Sequence, residues 1–353
     1  MEMKKVLILG GGYGGTTILN SLIKKKLPKD VRITVVDRNP YHSLKTEFYA
    51  LAAGTVSDKE VRISFPEHDQ VNYVYGEITK IDPDTKIVSV KDEEISYDYL
   101  IIGLGCEDHY HDVKGAKENT YSIQTISKSR EASLAIGNAK AYSGITVVGA
   151  GLSGIEVAAE IRESRPDINI RLLDRGEAVL RPFDPKVQKY VEKWFAENDI
   201  EVIHNAQVDY VEEGAVCNKG VCLLSDATIW TAGVRPHYLV RALPFAQDSQ
   251  EKILLNEYHQ VLSHQNVYIV GDCASLPFSP SAQLAQHQGA QIADVLYDIL
   301  RGETPKKPGE IKLRGTLGSL GKHDGFGSIF ELPFTGLVPR IAKSGVLWLS
   351  KRH

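Results

Sequence analysis

Two glycine-rich turns, each expected directly after a short apolar strand, constrain the fold of this 353-residue chain more than any other feature. The first turn has the spacing Gly-x-Gly-x-x-Gly at Gly10, Gly12 and Gly15, and the second repeats this spacing from Gly149. In both places the pattern predicts a strand, a turn, a helix and a second strand, which is a βαβ unit. Such units place their strands in parallel sheets with helices on the faces, so we predict an α/β fold with two of them.

The first turn has the residue types that a dinucleotide requires. Gly10 permits the tight turn, Gly12 leaves room for a pyrophosphate near the backbone, and Gly15 lets the helix pack closely on the strand. The helix that follows offers free N–H groups and the positive end of its dipole to the phosphates. Asp37 ends the next strand, where an acidic residue bonds the diol of a ribose. We therefore predict a dinucleotide site in the N-terminal unit.

The second turn repeats every part of this pattern. Its glycines are Gly149, Gly151 and Gly154, and Asp174 ends the strand that follows the helix. A dehydrogenase with a single nucleotide cofactor needs only one such site. Two complete patterns in one chain therefore predict two bound dinucleotides.

A third pattern, Val-Gly-Asp-Cys-Ala over residues 270–274, indicates which dinucleotide the N-terminal unit holds. It follows a predicted strand and precedes a helix predicted from about Ser281 to Leu300; a helix start at Ala274 would let Asp272 both cap that helix and bind the cofactor. The carboxylate of Asp272 can accept hydrogen bonds from the ribityl hydroxyls of FAD, and the helix N-terminus can face the flavin. The alternative is that Asp272 only caps the helix. The complete pattern favours FAD in the N-terminal unit.

Composition argues against several classes of partner and site. Lys and Arg total 41 and Asp and Glu total 45, so the charge gives no reason to expect nucleic acid as a partner. The four cysteines form neither a secretory disulfide framework nor paired metal-binding motifs, which favours a reducing cytoplasm and no metal site. Cys217 and Cys222 lie in a predicted hairpin, and no redox role is expected for them. No run of about 18 apolar residues occurs, so no membrane-spanning helix is expected.

Almost the whole chain resembles the type II NADH dehydrogenases, which are single-subunit NADH:quinone oxidoreductases among the flavoproteins with two dinucleotide-binding domains. The stretches that carry the resemblance are ILGGGYGG, VVDRNPYH, YDYLIIGLG, VVGAGLSGIEVAAE, IWTAGVRP, VGDCA, AQLAQHQG and RGTLGSLG. The resemblance implies two Rossmann-like domains: a discontinuous FAD-binding domain over residues 1–115 and 237–315, and an NADH-binding domain over 116–236 inserted into it. Residues 316–353 are then a short C-terminal segment.

The same resemblance implies roles for individual residues. The FAD site would contain Gly10, Gly12, Gly15, Asp37, Thr46 and Asp272, the NADH site would contain Gly149, Gly151, Gly154 and Asp174, and Arg38, Gly233 and Gln283 complete the cofactor-binding set. Glu156 and Glu160, on the helix after the second turn, match two acids of the family and are the predicted catalytic residues. Glu156 could face the nicotinamide and the flavin, and ordinary helix surface is the alternative for both acids. The implied reaction passes hydride from NADH to FAD and the electrons then to a quinone.

Two further observations concern the donor and the reaction. Asp174 favours NADH because its charge repels a 2′-phosphate, whereas Arg175 beside it could hold that phosphate and favour NADPH. No cysteine lies between Arg38 and Gly54, where related peroxidases and CoA-disulfide reductases carry a reactive thiol, so direct hydride transfer is expected. Two alternatives stay open: a diaphorase-like reductase with another acceptor, and a non-catalytic redox sensor.

The chain differs from the family in the helix that faces the electron acceptor and in the C-terminal segment. His287 stands where the family has a glutamine on the helix that faces the quinone, while Gln283 and Gln288 remain. The tail is shorter than in the family, and residues 336–353 predict one amphipathic helix. Its apolar side would carry Val338, Ile341, Ala342, Trp348 and Leu349, and its polar side Arg340, Lys343, Ser344 and Lys351. Such a segment suits the surface of an anionic bilayer, which predicts peripheral attachment to the cytoplasmic face of the membrane. Packing on the protein's own core and a homodimer contact are the alternatives.

Overall fold

A computed structural model describes residues 3–330 and 332–350 of the chain. The chain folds into two compact units and passes between them several times. The first unit contains residues up to 43, 62–107 and 235–313, and the second contains 44–61, 108–234 and the residues from 314 onwards. The predicted FAD-binding domain includes residues 44–61, but these group with the second unit.

The first unit is built on a six-stranded sheet. Its strands, in spatial order, are Gln260–Val261, His264–Ile269, Tyr99–Ile102, Lys4–Leu9, Val31–Asp37 and Val71–Tyr75. All neighbouring strands are parallel except the short edge strand Gln260–Val261. The chain starts in the centre, adds strands on one side, and then crosses to the other side of Lys4–Leu9. This order is that of a doubly wound dinucleotide fold, in which ligands bind beyond the carboxyl ends of the strands where the order reverses.

Different elements cover the two faces of this sheet. On one face the helices Tyr13–Lys24 and Ala282–Leu300 share a core with Val6 and Ile8 of the central strand. On the other face Leu7 and Leu9 share a core with a second, antiparallel sheet. The strands of that second sheet are Ile78–Asp82, Ile87–Val90 and Glu93–Ser96. Alternate side chains of one strand therefore serve two cores, as the strand period requires.

Short elements complete this part of the chain. They are the pair Tyr41–Ser43 and Arg62–Ser64, the pair Cys106–Asp108 and Val234–Pro236, the helix Tyr238–Arg241, and the 3-10 helix Gly271–Cys273.

The second unit is built on a four-stranded parallel sheet in the order Ile200–Ile203, Asn169–Leu173, Gly144–Val148 and Ala227–Trp230. Its helices are Phe48–Ala53, Ala116–Asn119, Ile126–Asn138, Leu152–Ser164, Pro185–Glu197 and Leu337–Ser350, with 3-10 helices at Lys45–Glu47 and Asp58–Val61. Every residue from 154 to 161 of the helix Leu152–Ser164 is buried. Protein therefore surrounds this helix, and its two acids, Glu156 and Glu160, lie inside the unit.

Two antiparallel sheets of three strands each also belong to the second unit. The first contains Val208–Glu212, Ala215–Asn218 and Val221–Leu224, and the second contains Gly315–Leu320, Asp324–Ile329 and Leu332–Gly336. The predicted hairpin over 208–224 thus has one more strand than expected. In the part of the chain that the structure describes, no helix is long and apolar enough to cross a membrane. The parallel sheets with flanking helices confirm the predicted α/β class.

Cys217 and Cys222 face each other on neighbouring strands and are joined by a disulfide. The sequence does not predict this bond. It forms because the chain turns back at Lys219 and Gly220, which both have positive φ angles and bring the two strands into this register.

Gly15 and Gly12 offer a matched test of the packing in the first unit. A Cβ on Gly15 would collide with the carbonyl oxygen of Gly10, a backbone atom, whereas a Cβ on Gly12 would meet nothing within 4 Å. We expect Gly15→Ala to lower the free energy of unfolding by about 2 kcal/mol or more, and Gly12→Ala by less than about 1 kcal/mol. Denaturant unfolding of both variants without bound cofactor measures the difference, and equal losses would contradict this packing.

Candidate functional site

The first glycine turn forms a cradle with an open centre. Gly10 has a φ of 95°, a left-handed conformation that favours glycine. The space in front of Gly12 is open, and the helix Tyr13–Lys24 begins with no side chain capping its first N–H groups. N–H groups that no side chain caps, beside open space, suit the phosphates of a dinucleotide, so the residues present fit such a group.

Asp37 is held in a fixed orientation beside this cradle. Its Oδ2 accepts a hydrogen bond from the backbone N–H of Gly11 at 2.7 Å, and its Oδ1 accepts one from Asn39 at 2.8 Å. The carboxylate is only half-buried, so its remaining lone pairs can accept from a ligand. The strand end and the turn therefore present one oriented acceptor next to the open cradle.

The second glycine turn repeats this geometry in the second unit. Gly149 has a φ of 106°, a Cβ on Gly154 would collide with the carbonyl oxygen of Gly149, and Gly151 faces open space. Asp174 accepts from the backbone N–H groups of Ala150 and Gly176, each at 2.7 Å. The two turns thus offer the same set of donors, open space and carboxylate.

Asp272 lies on a tight turn in the first unit. Cys106 donates from Sγ to Asp272 Oδ2 at 3.1 Å. The fully buried side chain of Gln288 accepts from the N–H of Gly271 at 2.8 Å and donates to the carbonyl of Ile269 at 2.9 Å. These two hydrogen bonds fix the backbone at the start of the turn.

The helix predicted from about Ser281 to Leu300 is confirmed, and no helix begins at Ala274. The next helix begins at Ala282 and is capped by Ser281. Pro277 and Pro280 intervene, and they lack the N–H donors that a helix starting at Ala274 would need. Asp272 is therefore not a helix cap, and no helix N-terminus follows it directly.

A buried cluster of polar side chains lies at the helix Leu152–Ser164 in the second unit. Lys343 donates from Nζ to Glu156 Oε1, to the hydroxyl of Tyr49 at 2.8 Å and to Ser319 Oγ at 2.9 Å. Ser319 also donates its backbone N–H to Glu156 at 3.0 Å. Only 6% of the Glu156 side chain and 13% of the Lys343 side chain are exposed. The two charges therefore form a buried ion pair whose members have several further hydrogen-bond partners.

Two further acids belong to this cluster. Glu160 accepts from Thr55 Oγ1 at 2.6 Å, and burial raises the pKa of its carboxyl group. Burial also raises the pKa of Glu47, to about 7, although the charge of Lys343 opposes the shift. For Lys343 itself, burial is the largest single effect and would lower the pKa, but the negative charges of Glu156, Tyr49 and Glu47 and the hydrogen bond to Glu156 together outweigh burial, and the pKa is raised. The cluster thus combines a stable cation with an acid that titrates near neutral pH.

Comparison with known proteins identifies the family. The sequence profile of the pyridine nucleotide-disulphide oxidoreductases matches residues 4–291. The chain belongs to this family. The NADH dehydrogenase-like protein YutJ of Bacillus subtilis (strain 168) is 51% identical to it over 353 residues, covering 99% of each chain. The type II NADH:quinone oxidoreductase of Staphylococcus aureus (strain MSSA476) is 28% identical over 371 residues, covering 95% of this chain and 92% of its own.

A solved structure shows the same fold. The structure of NDH2 from Plasmodium falciparum in complex with NADH matches this oxidoreductase with a TM-score of 0.85 at 18% identity, covering 99% of this chain and 94% of that one. The family and the fold confirm the resemblance read from the sequence motifs, and they agree with FAD and NADH as the predicted cofactors.

The remaining predicted cofactor residues of this oxidoreductase are distributed over both units. Arg38 is exposed at the end of its strand, and Gln283 is half-buried near the start of the helix Ala282–Leu300. Thr46 lies on the 3-10 helix Lys45–Glu47 of the second unit. Gly233 has a φ of 142°, and its carbonyl accepts from the N–H of His109. Their roles in cofactor binding stay predictions.

The sequence motifs did not identify several residues of the cluster around Glu156. Lys343, Tyr49, Ser319 and Glu47 contact or influence Glu156, although they come from distant parts of the chain. Only Ser319 lies in one of the recognised stretches, RGTLGSLG, and that motif alone did not indicate its partner. The resemblance therefore indicates Glu156, whose role stays a prediction, and the fold shows which charges surround it.

The C-terminal helix Leu337–Ser350 is present, but its orientation corrects the prediction. Lys343 points into the cluster, and Arg340 donates to the carbonyl of Gly321 at 3.0 Å and to Ser344 Oγ at 2.8 Å. These two cations face the protein rather than lipid. Lys351, and the side chains of Trp348 and Leu349, lie outside the described part of the structure.

An exposed apolar surface accompanies this helix. Its residues are Phe330, Leu332, Leu337, Val338 and Ile341, which are each more than half exposed. They come from the last antiparallel sheet and the first turns of the helix. Together these five residues form the apolar surface of the second unit.

Removing one member of the ion pair tests whether the cluster is held by charge. We expect Lys343→Met to lower the free energy of unfolding by about 3–5 kcal/mol, because it leaves the carboxylate of Glu156 buried without a cation. The double variant Lys343→Met with Glu156→Gln should recover part of that loss. Lys322→Met, at an exposed lysine nearby, is the matched control and should change little. Additive losses in the double variant would show that the two charges are not coupled.

Proposed function

We propose that this oxidoreductase is an FAD-dependent NADH dehydrogenase that passes electrons to a quinone. The observation that carries the proposal is the duplicated cradle, in which each unit presents uncapped helix N–H groups, open space at the second glycine and an oriented carboxylate. FAD, when bound, supplies a group that accepts two electrons with hydride. In this proposal Gly10, Gly12, Gly15, Asp37 and Asp272 hold FAD, with Arg38, Thr46 and Gln283 as further contacts.

NADH is assigned to the second unit. Gly149, Gly151 and Gly154 leave room for its pyrophosphate, and Gly233 completes the wall of the site. Asp174 is held by two backbone N–H groups, so its charge stays directed at the ribose position. A carboxylate held there bonds the 2′-hydroxyl of NADH and repels the 2′-phosphate of NADPH. We therefore assign NADH as the donor, although Arg175, which follows directly in the sequence, could hold the 2′-phosphate of NADPH.

A quinone is the acceptor that the buried cluster favours. Reduction of a quinone to a quinol takes up two protons with two electrons, so the enzyme must hold groups that exchange protons near neutral pH. Glu156, Lys343 and Tyr49 form a hydrogen-bonded set in which Lys343 Nζ donates to Glu156 Oε1 and to the Tyr49 hydroxyl, so the cation holds the carboxylate of Glu156 in place. Glu47, with a pKa of about 7, can supply a proton to this set and regain it from solution. We assign the proton-handling role to Glu156 and the charge that orients it to Lys343.

The choice of acceptor tests this role. We expect Glu156→Gln to lower kcat with a water-soluble quinone by at least about tenfold, and to lower kcat with ferricyanide, which takes electrons but no protons, by much less. Glu163→Gln is the matched control on the same helix, because Glu163 accepts from the N–H of Lys322 and lies outside the cluster. Equal losses of kcat with both acceptors would contradict a proton-handling role for Glu156. Reduction of dyes but not of quinones by the unmodified protein would contradict a quinone as the acceptor.

Peripheral attachment to the membrane is part of the proposal, because most respiratory quinones dissolve only in the bilayer. The apolar surface, rather than the cations Arg340 and Lys343, is the region that we assign to lipid. Burying such a surface in the headgroup region stabilises attachment in proportion to its area.

Vesicle binding tests this assignment. We expect the full chain to co-sediment with vesicles that contain anionic lipid, and the triple variant Leu337→Ser, Val338→Ser and Ile341→Ser to lose most of that binding. Leu134→Ser, at an equally exposed leucine of the helix Ile126–Asn138, is the control and should bind as the unmodified chain does. Unchanged binding of the triple variant would contradict the apolar surface as the contact.

A further inference from the structure

The disulfide of the second unit occupies the centre of a three-stranded sheet. Tyr210, Cys217 and Cys222 lie opposite one another on its three successive strands. The hydroxyl of Tyr210 lies 3.3 Å from Cys222 Sγ, so its side chain extends across the middle strand towards the outer one. No role in the proposed reaction uses these three residues.

The two sulfurs differ in access. Cys217 is completely buried, whereas Cys222 is exposed on the edge strand Val221–Leu224. Cys222 also lines a surface cavity of about 660 Å³, together with the exposed Tyr142 and Leu224. A thiol reagent can therefore reach the disulfide from one side and at one sulfur only.

Contacts other than the disulfide also hold this hairpin. The stabilisation from a disulfide grows with the length of the loop that it closes, and the two cysteines are only five positions apart. Side chains hold the hairpin independently: Asp209 accepts from the N–H of Gly220, and Asn218 accepts from the N–H of Gln207, each at 2.7 Å. The strands can therefore keep their register with the sulfurs bonded or separate.

We propose that Cys217 and Cys222 form a reversible thiol–disulfide site whose co-reactant is a dithiol, and that exchange starts at Cys222. A thiolate of the dithiol attacks Cys222 Sγ and forms a mixed disulfide, while the bond to Cys217 breaks and its electron pair stays on Cys217 Sγ, which takes a proton from water. The second thiolate of the dithiol then attacks its own partner sulfur and releases Cys222 as a thiolate, which is protonated. Two electrons pass to the cysteine pair, the dithiol becomes a disulfide, and the two protons that it loses equal the two gained.

Tyr210 has a positioning role in this exchange. Its hydroxyl can donate to the sulfur of Cys222, which stabilises the thiolate as it leaves the mixed disulfide. The ring covers the strand that carries Cys217, which keeps reagents away from the buried sulfur. Tyr210→Phe should therefore slow alkylation of Cys222 in the reduced protein without exposing Cys217.

The test uses the purified full chain under native conditions. The protein is equilibrated with graded ratios of dihydrolipoamide, a small dithiol, to its disulfide lipoamide and, in a second arm, with graded ratios of a reduced to an oxidised Cys-x-x-Cys protein. The samples are quenched with acid, labelled with N-ethylmaleimide in denaturant, and weighed by mass spectrometry. We expect two thiols to appear together over a range of ratios in at least one arm, while the circular dichroism spectrum stays that of the folded protein. The arm that acts at the lower dithiol concentration identifies a small molecule or a protein as the source of the dithiol.

Matched variants test whether the two thiols that appear together come from Cys217 and Cys222. Cys222→Ser should abolish the two-thiol step, and Leu224→Ser on the same strand should leave it unchanged. Cys273 is an internal reference, because it is fully buried and burial raises the pKa of its thiol to about 12. The proposal is overturned if the pair stays reduced at every ratio, or if the bond opens only when the protein unfolds. Neither result would bear on the proposed dehydrogenase reaction, because none of the three residues belongs to it.

Discussion

Each unit of this oxidoreductase depends on one backbone contact, the approach of the third glycine of its turn to the carbonyl oxygen of the first. Gly15 meets Gly10 in one unit and Gly154 meets Gly149 in the other, and no side chain fits between them. This contact brings the first turn of the helix to the end of the central strand. The helix N–H groups then face the open space at the second glycine. The residue after the first glycine can donate its N–H to the carboxylate at the end of the next strand. The position, the electrostatics and the orientation of each nucleotide site therefore follow from a single steric requirement.

The buried ion pair of Lys343 and Glu156 is the second constraint. Moving two charges out of water is unfavourable, and the attraction between them offsets that cost only when their other hydrogen-bonding groups are also satisfied. Here Tyr49 and Ser319 provide those partners. Because Lys343 belongs to the C-terminal helix, the pair also fixes one side of that helix against the protein and leaves the apolar surface exposed. The ion pair thus also determines which face of the helix stays exposed.

The sequence predicts the two units well, because a glycine turn between an apolar strand and a helix leaves few alternatives. It predicts Glu156 through the family but not the contacts of Glu156, since Tyr49, Ser319 and Lys343 are far from it in the chain and no local pattern links them. The amphipathic pattern predicts the C-terminal helix, but an apolar and a basic side can each face either protein or solvent, so the orientation of Lys343 could not be predicted. The disulfide could not be predicted for a similar reason. The bond depends on the register of a hairpin, and the turn of that hairpin has no strong sequence signal. Which unit holds residues 44–61 likewise depends on tertiary packing.

The proposed reaction has two halves: bound flavin takes its electrons from NADH and then gives them to a quinone. Anaerobic stopped-flow spectroscopy of the visible absorbance band of oxidised flavin follows both half-reactions in one preparation. We expect NADH to bleach the flavin band rapidly, NADPH to bleach it much more slowly because of Asp174, and a water-soluble quinone to restore the band in a second mixing step. A protein that binds FAD but keeps its band unbleached with excess NADH would contradict the dehydrogenase reaction. A reduced flavin that the quinone fails to reoxidise would contradict the assignment of the acceptor.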